Sequence, residues 1–578
     1  MVQVASVQAA IPTQGQVSQD TTQWQNDDLR TWDNYKQVLL KRAAKLTGST
    51  DLGALQKNYS TIEALRLLTE ANLRTMDPAS HKQAFIERLE EERKCSPRWR
   101  GIKWGHTPEQ VWQGRGTIFV DHTLAKDNSK LFWDLLNTER GIRVLSVQHP
   151  HQAIMQVYAE LPAGYLSGWQ LAAGSNTNGD MFTDQSLQSS DSMPWLIEQT
   201  NKMLLRKDKI QHQARQNINF RFPLVADIDA GYGGTLKVRE LSSDCNKAGA
   251  AAKHIEDQIE IPGEKKCGHM DGKVLRTTKA HIKALKAARL QDDIDGVPSV
   301  LIARTDALDA KYITYANDPR DIPFIDFEKG QTDEGYYYLK EGVGLEMAIM
   351  RGREYAEYAD VIWCETKEPD LKQARKFAEG IHAKYSGKLL AYNCSPSFNW
   401  LAHFLGKEIK KLLPTKIPDI NMNDKHLLEA IKIISTAESK WEKINYSEFE
   451  HENIDVTQWV KQIGNLMDEE TMDKLTIQAF IEIENFQDKL NNMGYKFQFI
   501  TLSGFHSQNQ AMFDLATKYK KHGMKAYTVL QREQFRSKNP AVRHQEFVGL
   551  GYDDWFTQTI TGSSTNVGLK GSTEAAQF

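Results

Sequence analysis

The sequence predicts an α/β chain built on a (β/α)8 barrel of the TIM type, with a helical region ahead of it and a helical insertion before its last strand. Two observations predict this and a third narrows it. From about Gly141, short apolar runs ending in polar or Gly-rich turns alternate with helix-patterned stretches. The runs number eight, at 142–147, 164–169, 223–228, 250–255, 299–303, 360–364, 388–392 and 497–502. Such alternation argues for parallel strands joined by crossover helices, and eight units argue for closure into a barrel. No G-x-G-x-x-G follows any early run, which weighs against a doubly wound open sheet.

Helical spacing supports the remaining elements. Leu39, Leu40, Ala43 and Ala44 recur with helical period, as do Ile62, Leu65, Leu67 and Leu68, and Ser60 to Glu63 reads as a capping box. Stretches 281–290 and 371–385 are patterned as helices between strands. About a hundred residues separate the seventh and eighth runs, and 426–434 and 469–492 within that gap are charged and helical in pattern. No repeat of fixed period is visible. The expected division is a flexible arm at 1–20, a helical region at 21–140, seven barrel strands in 141–400, the insertion at 401–494, and the last strand with a closing helical segment at 495–578.

Composition excludes several classes. The 72 Lys and Arg nearly balance 75 Asp and Glu, so no basic footprint marks a nucleic-acid or anionic-membrane partner. The five cysteines, Cys95, Cys245, Cys267, Cys364 and Cys394, form no C-x-x-C pair, which argues against a disulfide framework or structural zinc. No apolar run approaches a membrane span. Residues 1–20 lack Lys and Arg, and Ala575 to Phe578 is neither a peroxisomal nor a prenylation signal, leaving a cytoplasmic expectation.

Catalytic groups of such a barrel stand at the C-terminal ends of its strands. Acids end three of them: Asp227 and Asp229 the third, Glu256 the fourth, Glu365 the sixth. Hard oxygen donors from separate strands suit Mg²⁺, which keeps waters and takes only one or two carboxylates directly. Arg304 ends the fifth strand and is suited to a bidentate grip on a carboxylate, with Asn393, Ser395, Ser397 and Thr501 as further donors. Gly231 to Gly234 permits a tight turn close to a ligand. The run Lys265-Lys266-Cys267-Gly268-His269 surrounds one thiol with cations, which favours its thiolate and suits acid, base or nucleophile roles; Gly268 and Pro262-Gly263 mark a loop able to move as a lid.

Taken together, Ser167 to Gln170, Asp184 to Leu187, Ala226-Asp227, His254 to Gln258, Lys265 to Met270, Ala303 to Asp306, Asn393 to Trp400 and Thr501 to His506 resemble the isocitrate lyase family, in order, over roughly 140–400 and 495–578. The resemblance implies Mg²⁺-dependent cleavage of isocitrate to glyoxylate and succinate, with Mn²⁺ as a substitute metal, by a homotetramer that exchanges helices between subunits. It implies that Asp227 holds the metal directly and that Asp184, Asp229 and Glu256 hold it through waters. It also implies that Ser167, Gly168, Trp169 and Arg304 bind the glyoxylate part, and that Asn393, Ser395, Ser397 and Thr501 bind the succinate carboxylates with Gly268 and His269. Cys267 is the expected acid and Tyr165 the expected base; Lys265, Lys266, His269 and Glu365 complete the catalytic candidates. The long insertion and the Tyr336-Tyr337-Tyr338 run depart from the family pattern without being expected to touch the matched motifs, and Asp229 stands where that pattern often has Glu. The alternatives are 2-methylisocitrate lyase, opposed by Thr501 and Trp363 at the pocket; the related phosphonate-forming mutases and oxaloacetate hydrolases; and a non-catalytic barrel used for binding.

Overall fold

The computed structural model describes residues 32–47, 49–59, 61, 64, 65, 68, 78–138, 140–436 and 454–577. The expected arm at 1–20 and, apart from Thr61, the Ser60 to Glu63 box lie outside the described residues. The Thr61 hydroxyl accepts the Ala64 N–H at 3.1 Å, the hydrogen bond of an N-cap.

Eight strands close into a barrel: β1 (Ile142–Ser146), β2 (Gly164–Leu166), β3 (Leu224–Asp227), β4 (Ala252–Glu256), β5 (Val300–Thr305), β6 (Val361–Cys364), β7 (Leu389–Asn393) and β8 (Tyr495–Ile500). Every neighbouring pair is parallel, and β8 closes on β1 through Ile142 opposite Phe497. All eight expected runs are strands. The second is shorter than its apolar run, because Ser167 caps the helix Gly168–Gly174 and accepts the Gln170 N–H at 3.4 Å.

β3 (LVAD) and β6 (VIWC) read as near-continuous apolar runs because both of their faces are buried. Val144, Tyr165, Val225, Ile302, Trp363, Ala391 and Phe499 form the barrel interior. Their neighbours Leu166, Ala226, Leu301, Ala303, Ile362, Leu390 and Tyr392 pack outward against the helices. This one-residue alternation is the strand period at work. Phe499 lies 4.5 Å from the Tyr165 ring and 5.0 Å from the Trp363 ring, an aromatic floor beneath the C-terminal mouth. The helix Thr123–Leu136 stoppers the other mouth, with Phe132 edge-on to Phe497 at 5.5 Å.

Helices Trp32–Thr47 and Pro78–Cys95 precede the barrel. They lead to Arg98, which enters the N-terminal end of the barrel. There Asp360 receives Arg98 through both oxygens (2.6 and 3.1 Å), Arg289 at 2.8 Å and the Leu301 N–H at 2.8 Å. Between β7 and β8 run the helices Trp400–Lys416, Lys425–Thr436, Ile454–Leu466, Glu469–Glu484 and Phe486–Asn491. Their apolar faces, including Leu405, Ile409, Leu427, Ile431, Val460 and Ile463, merge with the outer core. A three-stranded sheet of Val274–Leu275, Tyr312–Ile313 and Tyr337–Tyr338 lies apart from the barrel. After β8, the helices Ser503–His522 and Met524–Arg536 present Met512, Phe513, Met524 and Val529 with 62 to 70% of their surface exposed.

Candidate active site

Asp227 ends β3 and is fixed from four directions. Its Oδ2 accepts the Tyr165 hydroxyl (3.1 Å) and the Gly168 N–H (2.9 Å); its Oδ1 accepts the Asp229 N–H (3.1 Å) and pairs with His254 Nε2 (3.0 Å). Burial works against its charge, but His254, Lys265 and Arg304 hold the carboxyl well below the usual carboxylate range. The next turn is strained: Asp229 and Tyr232 have φ of 48° and 57°, and Ser186, which donates to Asp229 at 2.8 Å, has φ of 56°. Three non-glycine residues in the left-handed region at one rim mark backbone held for its site rather than for its own stability. Gly231 (φ 93°) lets this turn pass, since a Cβ there would lie 2.4 Å from Val238.

Lys265 carries its ammonium into this acidic cluster. It lies 2.6 Å from Asp184, 3.1 Å from Asp229 and 3.5 Å from Glu256. Burial alone would lower its pKa, yet these carboxylates raise it well above the ordinary value. Burial pushes Asp184 and Glu256 up, although Lys265 opposes it. Arg304 grips Asp306 through Nε and Nη2, both at 3.0 Å, and reaches Glu256 (3.1 Å) and Glu365 (3.4 Å) while lying over the Trp363 ring at 4.5 Å. The rim thus collects six carboxylates, Asp184, Asp227, Asp229, Glu256, Asp306 and Glu365, around two cations, Lys265 and Arg304, with Lys273 beside them. Such an excess of buried negative charge calls for a cation and would repel an anionic substrate without one.

The donor set fits a hydrated hard cation. Every candidate ligand is a carboxylate, and Glu256 Oε1 is buried without a hydrogen bond, facing the Lys265 ammonium at 3.5 Å. Among the described residues no three or more His, Cys, Asp or Glu side chains are arranged so that together they could hold a metal ion. One direct carboxylate with water-mediated neighbours does not require such an arrangement.

The 262–270 loop lies across the mouth. Gln185 and Gly263 exchange hydrogen bonds (2.8 Å each), and Gln258 holds Lys266 by its carbonyl (2.9 Å) and N–H (3.0 Å). Gly268 sits directly on Arg304, since a Cβ there would lie 2.6 Å from Arg304 Nη2 and 2.9 Å from Glu365. His269 Nε2 meets Ser395 Oγ at 2.6 Å, and burial lowers its pKa, so the ring is neutral near pH 7. Asn393 donates to Glu365 at 3.2 Å.

One expectation about the thiol's surroundings needs correction. The flanking lysines do not favour a thiolate: Lys265 is committed to carboxylates, and the Lys266 ammonium turns back to the Gly263 carbonyl at 3.0 Å. Burial, reinforced by Asp184, instead pushes the Cys267 thiol up to about 12, so it is a neutral acid near pH 7. The tyrosine run meets this loop one residue ahead of the matched segment, where the Tyr336 hydroxyl bonds to Glu264. Tyr165 is fully buried, and burial with Asp227 raises its pKa well above 10; its hydroxyl lies 2.9 Å from His254 Nε2. In this state its hydroxyl donates to Asp227. Ser167 is buried as a helix cap, Trp169 packs edge-on against Phe505 (4.9 Å), and Ser395 is buried, whereas Ser397 is exposed and donates its N–H to Ser395 Oγ at 3.1 Å. Thr501 follows β8, partly buried. Sequence reasoning missed the roles of His254, Gln185 and Gln258, although all three lie within the motifs. Their positions at strand and loop ends were the available signal.

A family model described as the isocitrate lyase family matches residues 86–326, 323–420 and 471–578. The isocitrate lyase of Halalkalibacterium halodurans is 41% identical over 501 residues, which cover 86% of this chain and 99% of that protein. The isocitrate lyase of Corynebacterium glutamicum is 39% identical over 505 residues, 86% of this chain and 98% of that protein. A crystal structure of 2,3-dimethylmalate lyase aligns at 18% identity with a TM-score of 0.45, covering 78% of this chain and 99% of that chain.

Proposed function

This chain belongs to the isocitrate lyase family, and from that premise we propose that it is a carbon–carbon lyase cleaving isocitrate to glyoxylate and succinate in the glyoxylate cycle. The observation that carries the reading is the seating of Gly268 on Arg304, which brings a protonated Cys267 to the mouth of a carboxylate-lined site. We assign Asp227 as the direct metal ligand and Asp184, Asp229 and Glu256 as ligands through water, with Mg²⁺ as the metal and Mn²⁺ as its substitute. Bound there, the metal supplies a Lewis acid that acidifies the 2-hydroxyl and offsets charge on the neighbouring carboxylate.

The chain's own residues do the rest. Arg304 binds the carboxylate of the glyoxylate part with Ser167, Gly168 and Trp169 around it. Asn393, Ser395, Ser397, Thr501 and His269 bind the succinate carboxylates, and Glu365 orients Arg304 and Asn393 from between them. Tyr165 is the base that takes the proton of the 2-hydroxyl as its own phenolic proton passes to His254 Nε2, 2.9 Å away. Cys267 protonates the carbanion that leaves, and the closed loop excludes water from it. Lys265 keeps the acidic cluster compensated as charge moves.

The test is an assay of the purified chain with isocitrate, trapping glyoxylate as its hydrazone. EDTA is expected to abolish turnover, with Mg²⁺ restoring it and Mn²⁺ substituting. Turnover of 2-methylisocitrate alone would move the assignment to that lyase, and turnover of neither would leave a binding barrel.

We place the enzyme in the cytoplasm; among the described residues no helix is long and apolar enough to cross a membrane. We divide the chain at 20, 140, 400 and 494 and assign a homotetramer that exchanges the helices after β8. The exposed Met512, Phe513, Met524 and Val529 support exchange, because isolated helices with such faces gain by burial against another copy. Phe513→Glu combined with Met524→Glu is expected to yield smaller species in sedimentation; an unchanged tetramer would refute the exchange.

A further inference from the structure

Lys273 lies outside every motif considered so far, yet its side chain is 1% exposed and reaches into the catalytic rim. Its backbone is anchored in the small sheet, where its carbonyl accepts the N–H groups of Lys311 and Tyr312 at 3.1 Å each. Its ammonium donates to the Gly268 carbonyl at 2.8 Å and to Asp306 Oδ1 at 3.3 Å, with Asp309 3.8 Å away. Asp306 is the carboxylate that grips Arg304 twice, and Gly268 is the loop residue that packs on Arg304. One buried ammonium therefore ties the loop backbone to the partner of the substrate-binding arginine.

We propose that Lys273 is a positioning residue that holds the 262–270 loop closed and couples closure to the occupancy of Arg304. The proposal rests on the reading of that loop as the active-site lid. A substrate carboxylate arriving at Arg304 competes with Asp306 for the same guanidinium. Lys273 keeps Asp306 paired while Arg304 turns to the substrate, so the arginine is released without leaving a buried carboxylate unpartnered. The same ammonium retains the Gly268 carbonyl, so the thiol of Cys267 stays at the mouth during that exchange. A buried lysine serves this double role because its donors diverge from one point and reach a carbonyl and a carboxylate together.

The experiment compares the full chain with Lys273→Met and Lys273→Gln by hydrogen exchange without substrate and by steady-state kinetics with Mg²⁺ and isocitrate. In the Met variant, amides of 262–270 are expected to exchange more than about tenfold faster, while the barrel strands keep their protection. The kcat is expected to fall about 10- to 100-fold with KM changed by less than about threefold, because a misplaced loop costs alignment more than binding. The Gln variant keeps a neutral donor for Gly268 and is expected to lie between wild type and Met in both readouts. Loop exchange and kcat at wild-type levels in both variants would overturn the proposal. So would a general loss of protection, or failure of both variants to fold, either of which would make Lys273 a structural ion pair. Selective loop opening in a chain that does not turn over isocitrate would sustain the anchor and defeat the proposed reaction, so the two failures are distinguishable.

Discussion

Cys267→Ser is expected to lower kcat about 10²- to 10⁴-fold while metal and isocitrate still bind. The thiol is held protonated by burial, with its pKa pushed up to about 12, and both neighbouring lysines are engaged elsewhere. A group in that state donates a proton readily to a carbanion and is a poor nucleophile. Serine keeps the same branching with a smaller atom and is a far weaker acid, so protonation slows while the Gly268 contact with Arg304 persists. Single-turnover measurement of glyoxylate, alongside isocitrate binding by calorimetry, separates chemistry from affinity. A kcat near wild type would remove Cys267 from the acid role. The elevated pKa also implies that activity is not lost near pH 8.5, where an unperturbed thiol ionises.

Asp360→Asn is expected to cost about 3–5 kcal/mol of stability, because it leaves Arg98 and Arg289 buried with their shared charge removed. The loss would appear as a lower urea midpoint with an unchanged slope. Burial opposes ionisation of Asp360, but Arg289 and Arg98 hold its carboxyl well below the ordinary range. A carboxyl with a depressed folded pKa stabilises the fold fully above its unfolded value, about 3.9 for Asp, and that contribution is lost as pH falls toward the folded value. Wild type should therefore lose stability more steeply than Asp360→Asn on acidification below about pH 4. Parallel acid profiles would show that the charge is not the source of the effect.

Much of the barrel was legible because its signal is local. β3 (Leu224–Asp227) and β6 (Val361–Cys364) are buried at every position, so their apolar runs stand out from the polar turns around them. β2 misled at its end because Ser167 is a helix cap embedded in an apolar stretch, and burial does not distinguish a strand from the first turn of a helix there. The acids at the strand ends were equally readable, since their place along the chain fixes their place on the rim. What stayed hidden depends on side-chain direction. Lys265 and Lys266 are adjacent, yet one enters the acidic cluster and the other turns to a loop carbonyl. The pairing of Arg98 with Asp360 and of Tyr336 with Glu264 spans long stretches of chain and leaves no mark in either segment. The left-handed backbone at Asp229 and Ser186 carries no compositional warning either, because neither residue is glycine.

The seam between the first and last strands bears on how the molecule is made. Ile142 on β1 meets Phe497 on β8, a separation of about 350 residues, and pairings so distant in sequence are slow to form. Synthesis proceeds at about 5–20 residues per second, so seven strands emerge well before their eighth. During that interval β1 and β7 are open parallel edges, and the helices that follow β7 must collapse first to deliver β8 to the gap. Leu390 and Ala391 on β7 pair with Tyr495 and Phe497, so the arriving strand carries one extra residue, Lys496, against β7 and pairs regularly with β1. Closure of this barrel is therefore a late event in synthesis, one that waits on the helices between β7 and β8.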